Sequence, residues 1–207
     1  GSHMFLPINA EVAVRDLIQG AVIVSANDAC VVMAEGIAGS EQAFVAMMNR
    51  RARELGLTTA HFTNATGVDD PEQRISSADL ARLTRHIITT YPEFYPVYSR
   101  RQFTFNNHTQ MNRNPLLGAY PGADGVKTGH TDDSGYGLVG SAVQNGERRI
   151  VVFNGLPTMA ARNSEAQRLM RAAFTDFAIS QIAAAGDVVG EADVRLGSRR
   201  TVQLLAK

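Results

Sequence analysis

Two β-prone runs, Tyr136-Gly137-Leu138-Val139-Gly140-Ser141-Ala142-Val143 and Arg149-Ile150-Val151-Val152-Phe153, are joined across Asn145-Gly146. Asn and Gly both tolerate positive φ, so this dipeptide between alternating runs is the strongest short-range signal for a hairpin. A two-stranded hairpin is marginal in water and needs a further strand or a helix. The stretch just before it, Asp124-Gly125-Val126-Lys127-Thr128-Gly129-His130-Thr131, supplies the strand. Val126 would face a core, while the lysine, hydroxyl, glycine and histidine that follow suit an edge turned toward a ligand. With no Cβ at Gly129, an extended peptide could approach that edge and pair with its main chain. After the hairpin, Asn163 or Ser164 is predicted to begin a helix, with Ser164 and Gln167 as a capping box. Its apolar face, Ala166, Leu169, Met170, Ala173, Phe174 and Phe177, suits a helix closing over a sheet.

Upstream the pattern is helical. Val12, Val14, Leu17, Ile18, Ala21, Val22 and Val24 predict a buried helix over 11–24 that stops at Ser25-Ala26-Asn27. Residues 28–38 read as a second helix ended by Gly39. Ser40 is positioned to cap a third, carrying Phe44, Met47, Met48 and Leu55 and closed by Gly56. Residues 58–75 lack periodicity and predict a long surface loop. Ser77 should cap a fourth helix, with Leu80, Leu83, Ile87 and Ile88 on one face, ended by Pro92. Residues 102–106 alternate as a half-buried strand running into an Asn-rich turn. Near 184–186 the composition changes, and Val188-Val189, Val194-Arg195-Leu196 and Thr201-Val202-Gln203-Leu204 suggest a small hairpin around Gly197-Ser198. The predicted class is α+β, an antiparallel sheet packed with helices, followed by the start of a small β-rich second domain.

Charge excludes some functions. Lysines plus arginines balance aspartates plus glutamates at 20 each, so bulk charge draws the chain to neither nucleic acid nor an anionic membrane surface. No apolar run approaches the length of a membrane span, and none reads as a signal peptide. Cys30 is the single cysteine, which rules out an internal disulfide and a cysteine-rich zinc site. No metal or other cofactor is expected. Of the 20 basic residues only Lys127 and Lys207 are lysines. A chain that meets nearly every surface need with arginine and keeps lysine at 127 points to a compact ammonium there.

Each local motif also has an ordinary structural reading. Lys-Thr-Gly alone is a turn with a snorkelling lysine, and Ser25 or Asn27 alone is the N-cap of the next helix. Taken together and in order, Val24-Ser25-Ala26-Asn27-Asp28-Ala29-Cys30 and Lys127-Thr128-Gly129-His130-Thr131 resemble the Ser-x-Asn and Lys-Thr-Gly motifs of the low-molecular-mass penicillin-binding D-alanyl-D-alanine carboxypeptidases. These belong to the serine DD-peptidase and β-lactamase superfamily. Met111-Asn112-Arg113-Asn114 is similar to the stretch that supplies a substrate-binding arginine. His61-Phe62-Thr63-Asn64 with Gly67, and Ser76-Ser77-Ala78-Asp79, resemble intervening segments.

The resemblance runs from Phe5 to about residue 180 and implies a chemistry. A serine nucleophile, deprotonated by a lysine one helical turn away, attacks the carbonyl between two D-alanines of a peptidoglycan stem peptide, and water hydrolyses the acyl-enzyme. By resemblance Ser25 helps pass a proton to the leaving amine, Asn27 holds a substrate amide, and Lys127 supplies positive potential at the reacting centre. Thr128, Gly129 and His130 line the edge along which the acyl end lies. Arg113 reaches the terminal carboxylate. The implied partners are a pentapeptide ending in D-Ala-D-Ala and β-lactams as inhibitors. The implied location is the periplasm, with peripheral attachment to the inner membrane through a further carboxy-terminal segment.

One departure is large. The family's Ser-x-x-Lys motif is absent, because Asp124 stands three residues before Lys127 and Leu204 three before Lys207. Phe5-Leu6-Pro7-Ile8 enters a helical pattern without a preceding strand, so the expectation is a partial catalytic domain over 5–183, inactive alone, with the second domain opening at 184–207. Gly1-Ser2-His3-Met4 reads most simply as a cloning remnant, although the family often carries a Gly-Ser-x-Met-Phe-like stretch at this place. Two other readings stand. A β-lactamase is weakened by Ala26, where those enzymes commonly have aspartate, and by the lack of a separate glutamate motif. A non-catalytic module that binds wall peptides would keep the strand edge and Arg113.

Overall fold

In the computed structural model, which describes residues 1–178 and 180–207, the first apolar stretch forms a helix only over α1, Val14–Val24. It ends at Ser25, whose backbone turns into the left-handed region at φ 61°. α2, Asn27–Ala38, begins at once, one residue earlier than the sequence predicts. Its N-cap is Ala26, so neither Ser25 nor Asn27 caps it with a side chain. The Asp28 carboxylate instead accepts the N–H groups of Ala29 at 3.0 Å, Met4 at 3.1 Å and Leu6 at 3.2 Å. Residues 1–4 therefore pack with α2, and Met4 is fully buried.

α3, Glu41–Glu54, is capped as its sequence predicts, with Ser40 Oγ accepting from the Ala43 N–H at 3.1 Å. α4, Ser77–Thr90, is capped by Ser76 rather than Ser77. The shift by one residue has a cause in Thr59, whose hydroxyl donates to the fully buried Asp79 carboxylate at 2.6 Å and lies 2.9 Å from Ser76 Oγ. Those Thr59 bonds hold the Asp79 carboxyl below its ordinary value. The loop over 58–75 is tied by one bridge, His61 to Arg74.

A 3₁₀ turn over Tyr95–Ser99 leads into the hairpin β1, Gln102–Phe105, and β2, His108–Met111, with Asn106 and Asn107 both at positive φ. β3, Ala123–Thr131, β4, Gly135–Gln144, and β5, Glu147–Leu156, form an antiparallel sheet in the order β3-β4-β5. Asn145 and Gly146 make the β4–β5 turn at φ 51° and 79°. β3 lies at the border of this sheet, with Lys127 opposite Val139 and Gly129 opposite Gly137.

α5, Met159–Thr175, starts earlier than predicted because Thr158 Oγ1 accepts the Ala161 N–H at 3.1 Å. Ser164 and Gln167 consequently lie inside the helix, where a capping box has no free N–H to serve. Ala166 and Met170 are fully buried against Leu116, Leu138, Ala142 and Val151, with Leu169, Ala173 and Phe174 around them. Phe177 is past the helix end and exposed. A second core joins Met4, Leu17, Ile23, Val24, Ala26, Ala29 and Phe103.

These elements make up one compact unit, Gly1–Phe174; Thr175–Lys207 form another. The second contains β6, Val188–Asp193, paired antiparallel with β7, Thr201–Leu205. Val194-Arg195-Leu196 falls in the connection rather than in a strand.

Candidate active site

The α1–α2 junction and β3 meet through two side chains far apart in sequence. The left-handed turn at Ser25 is one that L-residues with a Cβ adopt at a cost of roughly 1–2 kcal/mol. It aims the hydroxyl at β3, where Lys127 Nζ donates to Ser25 Oγ and, at 2.8 Å, to the Thr128 carbonyl. Val126, one residue earlier on β3, is buried on the core side, which sends Lys127 to the opposite face by the two-residue period of a strand.

Burial pushes the Lys127 ammonium down from 10.5 to about 8, and the Arg113 and Arg162 charges add to the fall while Cys30 opposes it. A lysine in this range gives up and regains a proton close to neutral pH. Cys30, one turn into α2, moves the other way, its thiol raised chiefly by burial.

The cleft in front of this pair has a volume of about 510 Å³ and brings together Ser25, Asn27, Arg113, Lys127, Thr128, Gly129 and His130. All seven residues singled out from sequence therefore share one cavity. Asn27 donates its backbone N–H to the Ser2 carbonyl at 2.8 Å, and Arg113 Nη1 donates to Ser2 Oγ at 2.8 Å. Gly129 has open space where a Cβ would stand. His130 packs on the Tyr136 ring, centroids 3.9 Å apart. A hollow of similar size, about 500 Å³ beside Phe44, Met47, Met48 and Leu83, is apolar and lacks this chemistry.

Other groups enter the cleft that sequence reasoning did not single out. Thr66, Gly67 and Val68 line it from the 58–75 loop, which is thus part of the site and not only surface. Asn64 Oδ1 shapes that turn by accepting the Thr66 and Gly67 N–H groups, and Asp69 Oδ2 accepts the Asp132 N–H at 3.1 Å, joining the loop to the β3–β4 turn. Arg162 reaches the cleft from α5 although only 3% exposed. Its signal was present: had Thr158 been read as the cap, Arg162, Ala166 and Met170 would have fallen at i, i+4 and i+8 on the buried stripe. Among the residues lining the cleft are three cations, Lys127, Arg113 and Arg162, and no aspartate or glutamate. The arrangement suits an anionic ligand bound in extended form along β3.

A family model described as D-alanyl-D-alanine carboxypeptidase matches residues 1–158. The D-alanyl-D-alanine carboxypeptidase DacA of Haemophilus influenzae is 41% identical over 205 residues, covering 98% of this chain and 52% of that protein. DacD of Escherichia coli is 42% identical over 204 residues, covering 98% and 53%. Among solved structures, penicillin binding protein 5 from Haemophilus influenzae matches with a TM-score of 0.89 at 41% identity, over 100% of this chain and 60% of that one. The carboxypeptidase DacD from Francisella tularensis matches at 0.86 and 30% identity, over 100% and 63%. The chain spans about half the length of the curated relatives it matches.

Proposed function

This chain belongs to the D-alanyl-D-alanine carboxypeptidase family, and from that premise we propose that the full protein is a serine-type carboxypeptidase that trims peptidoglycan stem peptides ending in D-Ala-D-Ala. The observation that carries the reading is the Lys127 ammonium on the Ser25 hydroxyl at the head of a cleft lined by arginine and an open strand edge.

In this reading a serine hydroxyl attacks the carbonyl of the penultimate D-alanine. The C–N bond breaks, an ester forms on the serine, and the leaving amine takes a proton through Ser25, which Lys127 polarises. Asn27 holds the amide of the acyl half. Thr128, Gly129 and His130 receive its backbone along β3, and Arg113 grips the terminal carboxylate with a two-pronged bond. Water then hydrolyses the ester. β-Lactams occupy the same cleft as inhibitors.

The nucleophile is not among the serines of this sequence, since none stands three residues before a lysine. The 207-residue chain alone is therefore proposed to be unreactive toward β-lactams. With that substrate the protein is proposed to act in the periplasm; no helix among the described residues is long and apolar enough to cross a membrane. Peripheral attachment to the inner membrane through a further carboxy-terminal segment is part of the proposal and is supported by the family resemblance alone.

Incubation with a fluorescent penicillin and intact-mass measurement test both statements. The full protein should gain one adduct and release D-alanine from a D-Ala-D-Ala peptide, and Lys127→Met should slow release by roughly 10²- to 10³-fold. An adduct on the 207-residue chain would overturn the account of the nucleophile. Turnover of β-lactam faster than of peptide would overturn the assignment itself.

A further inference from the structure

Arg162 is a buried cation in an unusual setting. It is 3% exposed, and among the described residues no carboxylate lies within ion-pair distance of it. Burial without a paired carboxylate disfavours the charged guanidinium, and desolvation lowers its pKa. A fold retains such a group where its contacts offset the cost.

Two of the groups it contacts, Arg113 and Tyr136, line the cleft. Nη2 donates to the Arg113 carbonyl at 3.2 Å, and Nε and Nη2 approach Asn163 Oδ1 at 3.4 and 3.3 Å. The guanidinium lies over the Tyr136 ring, 5.8 Å from its centroid, and that ring packs on His130. One side chain from α5 thus reaches the backbone of Arg113, the β4 ring behind His130 and, through its charge, Lys127.

We propose that Arg162 is a positioning residue that holds Arg113 and the Tyr136–His130 stack from behind and keeps the cleft cationic for an anionic peptide terminus. The proposal rests on the carboxypeptidase reading for its substrate, but its contacts and its field do not. The groups that shift the Lys127 ammonium are Arg113 from the loop after β2, Cys30 from α2 and Arg162 from α5, while His130, Tyr136 and the Gly1 amino terminus line the same cleft. Like charge disfavours like charge, so Arg162 lowers the affinity of Lys127 for its proton, and an arriving carboxylate restores it.

The composition makes this measurable without turnover. With only two lysines, the 207-residue chain labelled with ¹³C and ¹⁵N in lysine shows two side-chain signals, which Lys207→Arg assigns, and Arg162→Lys adds a third. Arg162→Gln should raise the titration midpoint of Lys127, while Arg162→Lys, which keeps the charge, should leave it near wild type. In the full protein, Arg162→Gln should raise KM for a D-Ala-D-Ala peptide about tenfold, kcat staying within about threefold. The C-terminal amide of that peptide should show no such rise. A folded Arg162→Gln protein with an unmoved Lys127 midpoint overturns the electrostatic role. Should the glutamine variant unfold, Arg162→Lys decides, because wild-type KM there overturns the positioning of Arg113 by the Arg162 Nη2 bond to its carbonyl. Failure of the carboxypeptidase reading would appear separately, as a wild-type full protein that takes no β-lactam, and would leave the lysine titration as it stands.

Discussion

Lys127 is charged at a place where the fold makes charge costly. An unfolded chain holds the lysine proton to 10.5, the folded one only to about 8, and at ~1.36 kcal/mol per unit the difference opposes folding by up to about 3 kcal/mol below pH 8. A depressed folded value means that the penalty is fully present below pH 8, fades as pH rises, and is gone above 10.5. Lys127→Met should therefore be more stable than wild type at pH 7, by about 1–3 kcal/mol, with the gap closing above pH 10.5. Denaturant unfolding of both proteins across pH 6–11 measures it. Using the difference matters, because Tyr95, pushed up to about 12 by burial, works in the opposite sense. Its contribution is present below 10 and lost as pH rises through 12 in both proteins. A wild type more stable than the variant at pH 7 would mean that the Ser25 and Thr128 bonds outweigh the desolvation of the ammonium.

At the scale of elements, β3 must be held at one end and open at the other. Its start is fixed by a polar cluster in which Arg148 on β5 pairs with Asp124 at 2.7 Å, reaches Ser141 Oγ at 2.5 Å and covers the Tyr95 ring. Tyr95 OH donates to Asp124 at 3.2 Å. Two glycines of this sheet have opposite environments. A Cβ at Gly140 would stand 2.7 Å from Leu116 Cδ1 and 3.1 Å from Val151 Cγ2, under α5, whereas a Cβ at Gly129 would meet nothing within 4 Å. Gly140→Val should cost about 1–3 kcal/mol by overpacking the sheet–helix core. Gly129→Ala should change stability by less than ~0.5 kcal/mol, while in the full protein it should raise KM, because the methyl group stands where a peptide would pair with the edge. Thermal unfolding beside peptide kinetics separates the two effects. Equal destabilisation at both positions would mean that the edge at Gly129 is covered.

For the whole molecule, the residues named in the two cores all belong to the unit Gly1–Phe174. A chain ending after residue 178 should keep cooperative unfolding, with a midpoint within a few degrees of that of the 207-residue chain, by circular dichroism. Loss of cooperativity would show that Thr175–Lys207 supports the first unit.

The sheet, its Asn-Gly turn, the edge position of β3 and the succession of helices were all legible in the sequence. They depend on period and turn chemistry, which act between neighbours along the chain. Helix starts were less so. Ser76 took the cap from Ser77 through Thr59, and Thr158 began α5 before the predicted Ser164, since a cap is decided by whichever hydroxyl tertiary contacts leave in place. Ser25 and Asn27 taken alone read as helix caps, and family resemblance, not local chemistry, points to a site. Only the packed chain sets Ser25 in a left-handed turn against Lys127, brings the 58–75 loop to the cleft mouth and buries Arg162 behind Arg113. These are polar contacts between segments as many as 102 residues apart, and their strength comes from exclusion of water by the fold, a condition that no local stretch of sequence carries.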